Sequence, residues 1–143
     1  MTKKIFISCD HGGFYLKEQI VAYLLKNSYK TIDLGTKDSC SVDYPDYSKV
    51  LVNELKNNLG CMGILLCGTG IGMSIAANRH SHIRAALCTN KDMARLSRQH
   101  NDANVLVIGG RTTSLNSAKK IIDVFLSTEF EKGRHIKRLN KIS

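Results

Sequence analysis

Short apolar runs alternate with segments of helical spacing along the whole chain, and that alternation restricts the fold more than any other feature. The runs span residues 5–9, 31–34, 62–67, 84–88 and 105–108, each bounded by polar or glycine-rich punctuation. Between them, Leu16, Ile20, Tyr23 and Leu24 keep one helical face, and Tyr47, Val50, Leu51 and Leu55 keep another. Further helices are predicted from the glycine-rich segment near Ile71, over about 90–100, and over 114–126. Runs such as Ile64-Leu65-Leu66 are apolar at every position, the pattern of a parallel strand buried on both faces. The expected fold is α/β: a Rossmann-like three-layer sandwich with a five-stranded parallel sheet and a C-terminal helical tail.

At 143 residues the chain is long enough to bury roughly two-thirds of its unfolded surface, and no repeat, linker or charge block divides it. One domain over 1–143 is expected. A hydrophobic share of 43% against 23% charged residues excludes a disordered chain. Met1-Thr2-Lys3-Lys4 runs directly into Ile5-Phe6-Ile7, too short for a signal-peptide core, and no apolar stretch approaches a membrane span, so a cytoplasmic protein is expected. Cys9, Cys40, Cys61, Cys67 and Cys88 are odd in number and lack CxxC spacing, which predicts free thiols rather than disulfides or a zinc site. A net charge of +9 suits an anionic partner without choosing one. Lys17, Lys26, Lys30, Lys49, Lys56 and Lys91 scatter as they would on a solvated surface.

Open parallel sheets bind ligands beyond the carboxyl ends of their strands, so the strand ends carry the candidate chemistry. The first run ends in Cys9-Asp10-His11-Gly12-Gly13, where Asp10 and His11 read equally well as ligand groups or as a helix cap beside an idle imidazole. The third ends in Cys67-Gly68-Thr69-Gly70-Ile71-Gly72-Met73-Ser74. Three alternating glycines there turn backbone N–H groups inward, to stabilise a phosphate, an oxyanion formed on enolisation, or negative charge on the Cys67 sulfur. A dinucleotide fingerprint would follow the first strand and needs a small residue where Met73 stands, and the lysine of a P-loop is absent.

Arg111 follows the fifth run at the same sheet edge. His100-Asn101-Asp102-Ala103-Asn104 precedes that run, which puts His100 and Asn101 roughly 15–20 Å from the edge. Either they form an ordinary connection with turn hydrogen bonds, or a partner subunit supplies them to the site. In the tail, Gly133-Arg134-His135-Ile136-Lys137-Arg138 sets Arg134 and Arg138 four apart, on one face if helical. Paired guanidinium groups suit a phosphate, and a frayed basic terminus is an equal alternative.

Together, Cys9-Asp10-His11-Gly12-Gly13, Asp43-Tyr44-Pro45, Cys67-Gly68-Thr69-Gly70-Ile71-Gly72, Arg98-Gln99-His100-Asn101-Asp102-Ala103-Asn104 and Gly133-Arg134-His135 closely resemble the type B ribose-5-phosphate isomerases. The resemblance spans nearly the whole chain. It implies that Cys67 is the base moving a proton between C1 and C2, with the backbone of Gly68, Gly70, Ile71 and Gly72 stabilising the enediolate and Thr69 beside it. It further implies that Asp10, His11 and Asn101 hold the sugar, that His100 promotes ring opening, and that Tyr44 borders the pocket. Arg111, Arg134 and Arg138, helped by His11, would bind the phosphate. Some relatives use a glutamate where Met73 stands; methionine cannot take a proton, so the chain resembles the cysteine-using branch.

The resemblance implies no metal or organic cofactor, a phosphorylated pentose as ligand, and a homodimer with shared sites, tetramers being left open. A sister isomerase of a six-carbon sugar phosphate, such as allose or galactose 6-phosphate, is the nearest alternative, followed by a non-catalytic sugar-phosphate sensor. Nucleic-acid binding lacks a recognisable module and has only 6% aromatic residues for stacking.

Overall fold

The computed structural model describes residues 4–142. Its elements run β1 (Lys4–Cys9), a 3-10 turn (His11–Gly13), α1 (Phe14–Lys26), β2 (Lys30–Asp33), α2 (Tyr44–Asn57), β3 (Met62–Cys67), α3 (Ile71–Ala77), β4 (Ala85–Leu87), α4 (Lys91–Asn101), β5 (Val105–Gly109), α5 (Leu115–Ser127) and α6 (His135–Asn140). All strand pairings are parallel, in the order β2-β1-β3-β5-β4. The sandwich expected from the apolar runs is present.

Two cores explain why the central strands are apolar throughout. Ile5, Ile7, Ile64, Leu66, Leu106 and Ile108 pack on one face with Leu16, Ile20, Ile121 and Phe125 of α1 and α5. Phe6, Leu65, Val105 and Val107 pack on the other with Leu51, Val52, Leu55 and Met73 of α2 and α3. Successive strand side chains point to opposite faces, and both faces are covered.

Local chemistry sets the helix boundaries. Asn90 and Ser114 cap α4 and α5 by accepting from the N–H groups of Met93 and Ser117. The α4 helix ends at Asp102, whose φ of 44° is left-handed. Arg98 closes that corner by donating to Asp102 Oδ1 at 2.9 Å and to the Ala103 carbonyl at 2.6 Å.

Lys17 departs from the solvated reading given to the lysines. It is 1% exposed, and its ammonium meets Asp33 at 2.8 Å and Glu18 at 2.6 Å. The position lies on the inward face of α1 one residue after Leu16, and two carboxylates compensate the buried charge. No helix among the described residues is long and apolar enough to cross a membrane.

Candidate active site

Three strand ends converge at the carboxyl edge. After β1, the Asp10 carboxylate accepts from the N–H groups of Gly12 and Gly13 at 2.8 and 3.2 Å through one oxygen, so it does cap the following turn. His11 Nδ1 accepts from the Val42 N–H at 3.1 Å, which leaves the proton of the neutral ring on Nε2. A Cβ on Gly12 would stand 2.8 Å from the Gly68 nitrogen, so the first loop lies directly on the loop after β3. After β5, the N–H groups of Gly110 and Arg111 donate to the carbonyls of Cys67 and Gly68 at 2.7 and 2.9 Å.

Cys67 is the last residue of β3. It is 5% exposed, and its Sγ accepts from the Gly70 N–H at 3.1 Å. The sulfur therefore lies against the inner wall of the glycine loop at the sheet edge, with Phe6, Leu51 and Met73 in the core behind it. Gly70 has φ 81°, a left-handed value that favours glycine. A side chain there would come within 2.6 Å of Leu87 Cδ1. Thr69 is exposed, and its hydroxyl accepts from the Ile71 N–H at 3.3 Å. The backbone N–H groups of Thr69 and Gly72 have no acceptor among the described residues and are available to an anion.

Around this loop, the Arg111 guanidinium lies 3.1 Å from where a Cβ on Gly68 would stand and makes no ion pair among the described residues. Tyr44, the first residue of α2, lays its ring against Gly72, where a Cβ would be 2.7 Å away. Ile71 points outward, 55% exposed. Asp10, His11, Tyr44, Cys67, Thr69, the loop glycines and Arg111 thus form one cluster.

The other thiols differ in kind. Burial pushes Cys9 up to about 12 and Cys88 up to about 11, which holds both as neutral SH groups at ordinary pH. All five cysteines are free, as their spacing predicts.

His100, Asn101, Arg134 and Arg138 belong to a second cluster at the opposite edge. The Asn104 carbonyl accepts from the Gly63 N–H at 2.9 Å, so the chain before β5 lies level with the start of β3. Four residue rises along β3 separate that level from Cys67, about 13 Å. Asn101 is exposed, and its side chain has no hydrogen-bond partner among the described residues; the turn work falls to Asp102. The tail is helical, as the arginine spacing allowed, and His100, Asn101, His135 and Arg138 line a pocket of about 330 Å³ with Leu139 and Ile142.

His135 and Glu131 complete this second cluster. The imidazole of His135 is 6% exposed and stacks on His100, with ring centroids 4.5 Å apart at 17°. Burial, then Arg134 and His100, hold it below the ordinary histidine range. Glu131 Oε1 lies 3.6 Å from His100 Nε2. The ligand atoms of His100, Glu131 and His135 fall within 4.8 Å of one another. A metal must lie in the plane of each imidazole it binds, and two nearly parallel stacked rings do not offer that, so the trio does not fit a metal ion. Sequence reasoning gave neither Glu131 nor His135 a role. The signals for His135 were its place between the two tail arginines and in the Gly133-Arg134-His135 motif, neither of which gave it a role, and Glu131 had none.

Residues 5–142 match the Ribose/Galactose Isomerase family model. The chain is 46% identical over 141 residues to ribose-5-phosphate isomerase B of Escherichia coli, covering 99% of this chain and 95% of that one. A crystal structure of a ribose 5-phosphate isomerase from Thermotoga maritima superposes with a TM-score of 0.97 at 53% identity, covering 99% and 98% of the two chains. The Mycoplasma genitalium ribose-5-phosphate isomerase B, solved with bound ribulose-5-phosphate, superposes with a TM-score of 0.94 at 40% identity over 99% and 95%.

Proposed function

This chain belongs to the ribose/galactose isomerase family, and from that premise we propose that it interconverts ribose 5-phosphate and ribulose 5-phosphate, with Cys67 as the carbon base and His100 as the ring-opening group. One observation carries the reading: the Cys67 sulfur lies at a strand end against a glycine loop whose Thr69 and Gly72 amides have no acceptor among the described residues, and the Arg111 guanidinium, without an ion pair among those residues, lies beside that loop. The ribulose 5-phosphate bound by the Mycoplasma genitalium relative supports the choice of a five-carbon phosphorylated sugar.

The chemistry needs four things: an open chain, a base at C2, charge stabilisation at O1, and an acid at C1. In the proposed sequence His100 moves a proton from the anomeric hydroxyl to the ring oxygen as the ring C–O bond breaks. The Cys67 thiolate then takes the C2 proton, and the electron pair flows towards O1, where the amides of Thr69 and Gly72 oppose the growing negative charge. Cys67 returns that proton to C1 while the hydroxyl proton passes from O2 to O1, leaving the ketose. Arg111 from one edge and Arg134 and Arg138 from the other hold the phosphate, whose binding energy positions the carbon chain.

Because the two clusters occupy opposite edges of one sheet, a working site takes Cys67 from one subunit and His100 from a second, in a homodimer. Mixing Cys67→Ala chains with His100→Ala chains tests this. Neither parent isomerises ribose 5-phosphate, whereas equal mixing restores about a quarter of the wild-type sites, because half the dimers are hybrids and each has one intact site. Verified hybrids without recovered turnover would rule out sharing.

A further inference from the structure

Around His100 the structure arranges two side chains whose contacts serve that ring. Glu131 faces His100 Nε2 at 3.6 Å, and its own backbone N–H donates to the Gln99 carbonyl at 3.0 Å, so the carboxylate is anchored to the helix that carries the histidine. His135 covers the ring face. Lys132 and Gly133 both have left-handed φ, 65° and 57°, and this turn brings the chain back over α4. A purely structural purpose does not suit His135, because its buried Nε2 has no hydrogen-bond partner among the described residues, whereas interiors built for stability pair such atoms.

Each neighbour constrains a different degree of freedom. A carboxylate 3.6 Å from one imidazole nitrogen lies just outside direct hydrogen-bond contact, and its charge favours the proton on that nitrogen and so biases the tautomer. A stacked ring restrains the plane and leaves the edge nitrogens free. Burial, then Arg134 and His100, lower the His135 proton affinity while Glu131 opposes them, and a neutral ring can lie against an imidazole that takes up a proton, where two stacked cations would repel.

We propose that Glu131 and His135 are positioning residues for His100: the carboxylate holds a proton on Nε2, so that Nδ1 exchanges protons with the sugar, and the His135 ring fixes the plane of that exchange. The inference rests on the reading of His100 as the ring-opening group. In the step it serves, Nδ1 accepts the anomeric hydroxyl proton and gives it to the ring oxygen as the ring bond breaks, with no net change in protons or electrons on the enzyme.

The test uses the full-length enzyme and two readouts: the tautomer of His100 by nitrogen-15 NMR, and kcat and KM for ribose 5-phosphate. Glu131→Gln should shift His100 towards the Nδ1–H tautomer and lower kcat roughly tenfold at unchanged KM, part of the 10²–10⁴ that acid–base catalysis supplies. Glu131→Asp should recover part of both. His135→Phe, which keeps a flat face, should retain most of the kcat that His135→Ala loses. Exchange of the carbon-bound protons of ribulose 5-phosphate with deuterium should be untouched in all four, because that sugar, phosphorylated at O5, is already open.

An unchanged tautomer and kcat in Glu131→Gln, or a His135→Ala enzyme equal to wild type, would overturn the proposal. His100→Ala, run in parallel, separates the two ideas. If it converts ribose 5-phosphate at the wild-type rate, the ring-opening reading fails whatever Glu131 does; if it fails while Glu131→Gln does not, only the positioning role falls.

Discussion

Replacing the Cys67 sulfur by oxygen separates chemistry from folding more cleanly than deleting it. In Cys67→Ala the Gly70 N–H loses the acceptor it holds at 3.1 Å in a buried loop. That orphan donor costs about 1–3 kcal/mol, and the missing buried atom adds about 1 kcal/mol. Against a typical total stability of about 5–15 kcal/mol the variant still folds, but its loop is loosened. In Cys67→Ser the hydroxyl oxygen still accepts from Gly70, so the expected stability loss is within about 1 kcal/mol. A serine hydroxyl is a far weaker acid than a thiol and offers almost no anionic base, so turnover should fall by about 10²–10⁴ in both variants. Urea unfolding midpoints give the stability, ketose formation gives the turnover, and deuterium uptake at carbon from heavy water isolates the proton-transfer step. A folded serine variant that isomerises within about tenfold of wild type and still exchanges its carbon-bound proton would refute the assignment of the base.

Two further outcomes follow from the loop and the buried thiols. Gly70→Ala sets a side chain at φ 81° and 2.6 Å from Leu87 Cδ1, and should cost about 1–3 kcal/mol in denaturant unfolding while abolishing turnover by moving the loop. Cys9 and Cys88 ionise near 9.0 when unfolded and near 12 and 11 when folded. Between pH 9 and about 12 the unfolded chain releases protons that the folded one keeps, so their stabilisation is complete below pH 9 and is lost as pH rises. Cys9→Ala should flatten the alkaline fall of the unfolding midpoint, and an identical pH profile in wild type and variant would count against burial as the cause.

Residue order alone determined much of this protein. Continuous apolar runs and period-3.6 patterns are local, so the strand runs and helices were legible from residues such as Ile64-Leu65-Leu66 and Leu16 with Ile20, to within a residue or two. The Cys67 loop was legible for the same reason: strand end, glycines and helix start are contiguous in the chain, and their meeting needs no distant partner.

Tertiary structure decided what pairs across the chain. That Lys17 is buried depends on Asp33 arriving from the next strand. That one Asp10 oxygen is spent on capping depends on how the turn closes beneath the glycine loop. That Glu131 and His135 surround His100 depends on two left-handed residues reversing the tail, a fold-back that side-chain pattern does not encode. That His100 lies a strand's length from the edge that carries Cys67 was already expected from the order of the last strand; the long-range quantity is the register, because sheet hydrogen bonds between β3 and β5 set which of their residues lie level.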